Sequence, residues 1–361
     1  MFSARLCQAL AFATAMSAAL QANSAPLYEV VDIGAAGYSF SQARGLNSAG
    51  DVVGTVWNIS EDLGHAFVYS SGSIQVLGTL GGTGSQGRGI NDMGLVVGNS
   101  RNVGGQQRGF LWDGATMTDL GTLGGSGSSA AGINEAGQVT GAAALPGGDS
   151  RAYRWQAGAM TDLGTLGGEV SSGWGINDAG DVIGQSTVIS DPYIHLFLYS
   201  GGAMIPLGTR ETPAFNNLGQ VTGGSYSGFG PSIAFLLDGG TTTLLGTLGG
   251  DSSRGRGIND SGQIVGDAQD ATNATNAFLY QDGVMLDLND HLAPYAGTAW
   301  HLRTAYAINE SGWIVGAGER DGAERAFLLR PVPEPSTVAL VLFGLAAFAV
   351  RHRMSRHAAT G

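Results

Sequence analysis

Within the body of this chain, apolar positions fall in short runs that glycine, asparagine and aspartate interrupt every few residues. Over 74–112 the runs are Ile74 to Leu80, Gly87 to Ile90, Leu95 to Asn99 and Gly109 to Trp112. Each has strand character, and turn residues bound it. Asn91-Asp92-Met93-Gly94 separates two of the runs, and Asp113-Gly114 follows the last. Asn and Asp cap tight turns through their side chains, and Gly takes φ > 0 without steric cost, so both segments predict hairpin turns. No such unit carries a 3.6-residue apolar stripe long enough to predict a helix.

The pattern repeats. Asn-x-x-Gly-x-φ-x-Gly, with φ apolar, starts at Asn47, Asn91, Asn134, Asn177, Asn216, Asn259 and Asn309, at spacings of 44, 43, 43, 39, 43 and 50. A second string, His65-Ala66-Phe67-Val68-Tyr69, returns around Phe110, Tyr153, Phe197, Phe235, Phe278 and Phe327. A third, Asp119-Leu120-Gly121-Thr122-Leu123-Gly124-Gly125, recurs near Leu77, Leu163, Leu207, Leu245 and Leu288, with Asp32-Ile33-Gly34 as a shortened first copy. Four short strands in a period near 43 match a β-propeller blade, and seven copies suit a closed ring. The fold predicted is all-β, a seven-bladed β-propeller. The second string leads into the third through a tight turn, so those strands should pair within a blade. In the split unit they come from opposite chain ends, Tyr28 to Gly34 and Arg325 to Leu329, and pairing them would seal the ring. A β-solenoid is the rival architecture; it usually has shorter repeats and needs end caps.

His65-Ala66-Phe67, with the Leu-Gly-Thr-Leu-Gly-Gly and Gly-Ile-Asn-Asp-x-Gly strings, resembles the HAF-repeat extracellular proteins over roughly residues 28–330. The family's role is poorly defined, so the resemblance implies an extracellular repeat protein and little more. His precedes Ala-Phe only at His65; His195 is a partial match, followed by Leu196-Phe197.

Both ends of the chain carry addresses. Residues 1–25 read as a signal peptide, with Arg5 as the positive start, an apolar stretch from Leu10 to Leu20, and small residues before Pro26. Cys7 precedes the apolar stretch and is badly placed for lipid attachment. At the other end, Val332-Pro333-Glu334-Pro335-Ser336 (a 331–336 motif) precedes an apolar run at 337–350, read as a transmembrane segment. A basic cytoplasmic tail at 351–361 follows, with Arg351, Arg353 and Arg356 as stop-transfer charges. Fourteen apolar residues fall short of the roughly 20 that span a bilayer comfortably, as in removable anchors. The arrangement resembles the PEP-CTERM sorting tail of Gram-negative bacteria. That resemblance implies an exosortase-type protease as partner, transient anchoring in the inner membrane, and often an exopolysaccharide-producing cell. A plain membrane anchor is the alternative; both place residues 26–330, the propeller domain, outside the inner membrane.

Composition narrows the chemistry. All 17 basic residues are arginine, which excludes a Walker-type loop and a Schiff-base lysine. Cys7 is the only cysteine, so the exported chain would have no disulfide and no thiolate nucleophile. Residues 26–335 hold 13 arginines against 29 acids, a formal charge of −16 that repels nucleic acid. No Gly-x-Ser-x-Gly elbow, calcium-loop spacing or zinc-like histidine spacing is present, and neither metal nor cofactor is expected. His65 and His195 share one repeat position and predict a packing role. Residues repeated in every unit serve the fold, so function should sit where units differ. The last unit carries the largest insertion, in which His291, Tyr295, Trp300, His301 and Arg303 are candidate ligand-binding residues of the kind a sugar surface uses; packing over the closing blade is the plainer reading. The stretch from Ser225 to Ser232, with Tyr226 and Phe229, is a second irregular segment. The expectation is a non-catalytic surface or biofilm-matrix protein binding polysaccharide or protein partners. The alternative is an extracellular carbohydrate-active enzyme, a lyase or hydrolase, with its site at one mouth of the ring.

Overall fold

The computed structural model describes residues 26–333, apart from 61–63, 190, 226–229 and 295–299. The signal peptide, the apolar run and its basic cluster therefore lie outside the described residues, as do Tyr226, Phe229 and Tyr295. The body, Glu29–Arg330, is a ring of seven four-stranded antiparallel sheets. Blade 1 consists of Phe40–Leu46, Val52–Trp57, His65–Ser70 and Ser73–Val76, and each later blade repeats that order outward from the axis. First strands touch the first strands of both neighbours all round the ring, from blade 1 back through blade 7.

Closure follows the predicted route. Blade 7 takes Trp300–Ile308, Ile314–Arg320 and Ala323–Pro331 from the C-terminal side, and Tyr28–Gly34 supplies its outermost strand. Arg320 on the second strand pairs with Asp32 on that N-terminal strand at 2.5 Å. The seam is also tied across blades, where Ala326 N–H donates to Ser41 Oγ at 2.9 Å. In the chain ends outside this body, Val332 N–H donates to the Leu27 carbonyl at 2.8 Å.

Each repeated string has a physical duty. The aromatic of the second string is fully buried in every blade: Phe67, Phe110, Tyr153, Phe197, Phe235, Phe278 and Phe327. Directly across the ladder from each stands a glycine, such as Gly54, Gly98 or Gly184. A Cβ at Gly98 would lie 1.9 Å from the Gln86 carbonyl oxygen and 3.0 Å from the Phe110 ring, so nothing larger than glycine fits. The Asp-Leu-Gly-Thr string forms a side-chain-capped turn; Gly121 N–H donates to Asp119 Oδ1 at 2.8 Å, and Leu120 turns inward. This turn corrects one strand boundary. The predicted Ile74–Leu80 strand stops at Val76, because Leu77 dives into the core and the Gly78 carbonyl accepts from Ser85 Oγ of the next blade.

The repeated asparagines do more than cap turns. Asn91 Oδ1 accepts from Leu95 N–H at 3.0 Å, and Gly94 follows at φ 76°, as the hairpin reading requires. Its Nδ2 reaches across to the Asn134 carbonyl of the next blade. The same side-chain-to-carbonyl bond joins Asn47 to Asn91, Asn134 to Asn177, Asn216 to Asn259, Asn259 to Asn309 and Asn309 back to Asn47, at 2.8–3.3 Å. One residue on, a parallel circuit runs outside it. There Ser48, Asp92, Glu135, Asp178, Asn217 and Asp260 each donate a backbone N–H to the Asp, Glu or Asn side chain at the same place in the next blade. One mouth of the ring thus carries a collar of five carboxylates: Asp92, Glu135, Asp178, Asp260 and Glu310.

Candidate functional site

The insertion of the last unit begins with a 3-10 turn, Leu288–His291, capped by Asp287. Asn289 ties it to blade 7: its Oδ1 accepts from Leu302 N–H at 2.8 Å and its Nδ2 donates to the Leu302 carbonyl at 3.0 Å. His291, Trp300 and His301 come together on one open cavity of about 790 Å³, with Asn276, Asp287 and Asp290. His301 Nε2 contacts Asn276 Oδ1 at 2.8 Å, and Asn276 donates to Asp287 at 2.6 Å. His291 Nδ1 lies 2.8 Å from the Asp287 carbonyl. Trp300 packs edge-on against Phe327 at 6.2 Å, with the Arg320 guanidinium over its ring at 5.7 Å. Arg303 leaves this group. A register shift between Leu302 and Thr304 re-aims it, and it pairs with Glu319 instead. His65 and His195 sit apart, both on third strands: His65 against Tyr38 at 5.6 Å, His195 Nε2 on Asp191 Oδ2 at 2.7 Å. Among the described residues, no group of three or more His, Cys, Asp or Glu side chains could hold a metal ion.

A second site lies on the ring axis, and sequence reasoning missed it. Every first strand carries a β-bulge three residues before its repeated asparagine. In blade 1, Ala43 pairs with Gly54 and Gly45 with Val53, so Arg44 has no partner in the ladder. The same gap leaves out Arg88, Ala131, Trp174, Arg256 and Tyr306 in blades 2, 3, 4, 6 and 7. In blade 5 the gap takes in residues 212 and 213. A bulged residue is released from the alternation of its strand and can point where the ladder would not send it. All six named residues line a single central cavity of about 440 Å³. In five blades a glycine follows the bulge, with Ala214 and Ala307 in the other two, and it lets neighbouring strands close up behind it; a Cβ on Gly132 would come within 3.3 Å of Gly175 Cα.

The cavity wall is two-sided. Blades 6, 7, 1 and 2 present Arg256, Tyr306, Arg44 and Arg88 in succession, while blades 3 to 5 present Ala131, Trp174 and Phe215. The Tyr306 ring is flanked by Arg44 at 4.1 Å and Arg256 at 5.3 Å, both in cation–π range. Arg256 is also paired with Asp267, and Glu324 stands near Arg44. Burial pulls the Arg44 guanidinium below the ordinary arginine value; Tyr306 opposes that shift, Arg256 reinforces it, and Glu324 opposes it. Burial does the same to Arg88, and the Arg44 charge adds to it. Arginine nevertheless remains protonated, so the wall concentrates positive charge inside an acidic body.

Residues 331–353 match the PEP-CTERM protein-sorting motif, which takes in Val332 to Ser336 and both Arg351 and Arg353. The tail marks an exported protein. Among the described residues, no helix is long and apolar enough to cross a membrane. No curated protein matches the chain in sequence. Among solved structures, it is similar to a puromycin-hydrolysing peptidase of Mycobacterium tuberculosis (12% identity, TM-score 0.53) over 86% of this chain and 55% of that one. It is similar to an acylaminoacyl peptidase of Pyrococcus horikoshii (12%, 0.51) over the same shares. TolB of Acinetobacter baumannii follows at 14% and 0.40, over 87% of this chain and 84% of that one. The chain spans about half the length of the two peptidases, and at such identities the likeness is one of fold alone.

Proposed function

We propose that this is an exported surface or extracellular-matrix protein whose HAF-type propeller, residues 26–330, binds polysaccharide or protein partners without transforming them. In this reading residues 1–25 direct export and are removed. The segment 337–350 and the Arg351, Arg353 and Arg356 cluster hold the chain in the inner membrane until an exosortase-type protease acts at the Pro-Glu-Pro motif. The observation that carries the reading is the sorting motif at 331–353, which follows a closed propeller along the chain. The cavity bearing His291, Trp300 and His301 supports a partner-binding role, because it presents aromatic and hydrogen-bonding groups on one open surface.

The test has two arms. Deleting the exosortase gene of the producing strain should retain the protein in the inner membrane; unchanged surface delivery would sink the sorting reading. Incubation with the strain's own exopolysaccharide should give saturable co-sedimentation with no oligosaccharide release by mass spectrometry. Fragments accumulating with time would establish a carbohydrate-active enzyme instead.

A further inference from the structure

The axial cavity has a built polarity that the fold does not need. Ala131 shows that a bulge position can be filled by a methyl group, yet three of the six named positions hold guanidiniums. Packing arginines within reach of one another in a partly desolvated cavity costs stability, and a bound anion would offset that cost. Arg256 already has Asp267. Arg88 lies 3.4 Å from a neutral amide, Gln86 Oε1, and its guanidinium remains open to the cavity. Opposite, Trp174 is 41% exposed and offers an indole face.

We propose that this cavity binds an acidic sugar, its carboxylate held by Arg44 and Arg88 and the apolar face of its ring laid on Trp174. Guanidiniums match a carboxylate in forked geometry, and aromatic faces take the C–H side of a pyranose. The cavity volume of about 440 Å³ falls within the range of small-ligand sites. The choice of a sugar over other acids rests on the matrix reading above; the anion site itself does not. The route of entry follows from charge. The carboxylate collar lies four residues beyond the bulge, in the turn just past the strand end and at most about 13 Å of chain away, and repels an anion at that mouth. A second cavity of about 460 Å³ on the opposite side, lined by Gln42, Trp57, Gln86 and one carboxylate, Glu324, which Gln42 holds by a hydrogen bond, shares Arg44 and Arg88; with one acid against two arginines it provides the approach.

Calorimetric titration of the full chain with glucuronate, glucose and inorganic phosphate tests the proposal. Saturable glucuronate binding is expected, with glucose failing to bind. Arg88→Gln and Arg44→Gln should each weaken binding about tenfold or more. Trp174→Ala should weaken it roughly fivefold while leaving any phosphate binding unchanged. Arg88 is the more open of the two arginines, so its variant serves should Arg44→Gln not fold; unfolding curves check each protein. No glucuronate binding at concentrations on the order of 10 mM would overturn the proposal. So would binding unaltered in Arg88→Gln, or phosphate bound as tightly as glucuronate with Trp174→Ala silent. Export and co-sedimentation that persist in such a case would leave the matrix reading standing and remove this one alone.

Discussion

Replacing Asn91 by Ala tests the energetic worth of a blade-to-blade tie together with the turn cap made by the same side chain. Asn91 is 1% exposed, and its side chain makes two bonds at 3.0 Å, from Nδ2 to the Asn134 carbonyl and from Leu95 N–H to Oδ1. Alanine removes both: the part-buried Leu95 N–H loses its partner, while the Asn134 carbonyl keeps only its bond from Gly137 N–H. The unsatisfied N–H costs about 1–3 kcal/mol and the lost bond to the carbonyl about 0.5–1.5 kcal/mol, so the two together should cost about 2–4 kcal/mol. That is a large share of the roughly 5–15 kcal/mol that holds a typical domain folded. The next residue supplies the control. Asp92 also ties two blades, accepting from Ser48 N–H at 2.8 Å, but it does so in solvent. Asp92→Ala should therefore cost less than about 1 kcal/mol, and it relieves repulsion with Glu135 besides. Urea titration and thermal unfolding of both variants provide the assay, with an expected drop in Tm of roughly 4–10 °C for Asn91→Ala. If Asn91→Ala costs no more than Asp92→Ala, the asparagine circuit contributes nothing beyond its turns.

Three further substitutions probe other parts of the fold. Gly98→Ala places a methyl group against the Gln86 carbonyl and the Phe110 ring, and should destabilise by about 3 kcal/mol or more in the same assays. Burial and the charges of Asp92 and Asp178 raise the Glu135 pKa, despite the bond from Asp92 N–H that lowers it. Ionised Glu135 therefore costs stability; the loss sets in as pH rises past its ordinary unfolded value and is complete above the raised folded pKa. Glu135→Gln should accordingly be more stable than wild type at pH 7, by less than about 1 kcal/mol, with the gap closing below the ordinary glutamate value of about 4.3. Asn289→Ala should leave the propeller folded but accelerate hydrogen exchange at the Leu302 amide, which loses its acceptor.

Self-comparison of the sequence reveals what recurs, and in a propeller what recurs is scaffold. The strings around Phe67 and Asn47 are legible as strand and turn, and the split of the second and third strings between the chain ends foretells the closing blade, although around Leu120 the strand gives way to a turn sooner than the apolar run suggests. The reach of asparagine between blades was not legible, because a turn cap satisfies Asn Oδ1 locally and says nothing of where Nδ2 goes. The axial site was hidden for a different reason. A strand read at period two assigns faces by parity, and a bulge breaks parity without leaving a gap in the repeat. One signal was available: the residue before Gly-Leu/Ile-Asn reads Arg44, Arg88, Ala131, Trp174 and Arg256 from unit to unit, variable beside constant neighbours. The insertion was half legible. His291, Trp300 and His301 do converge, whereas a second bulge turns Arg303 away.

The bulge separates two burdens that most core positions must carry together. A residue with no ladder partner, sitting behind a spacing glycine, takes little part in holding its sheet, so its identity can change while the blade stays intact. The ring then behaves as a rotary dial with one independently set character per sector, read at a common focus. Gene duplication would copy the scaffold and the setting together, and later point changes at one codon per unit would be enough to re-address the cavity to a ligand of different charge or shape.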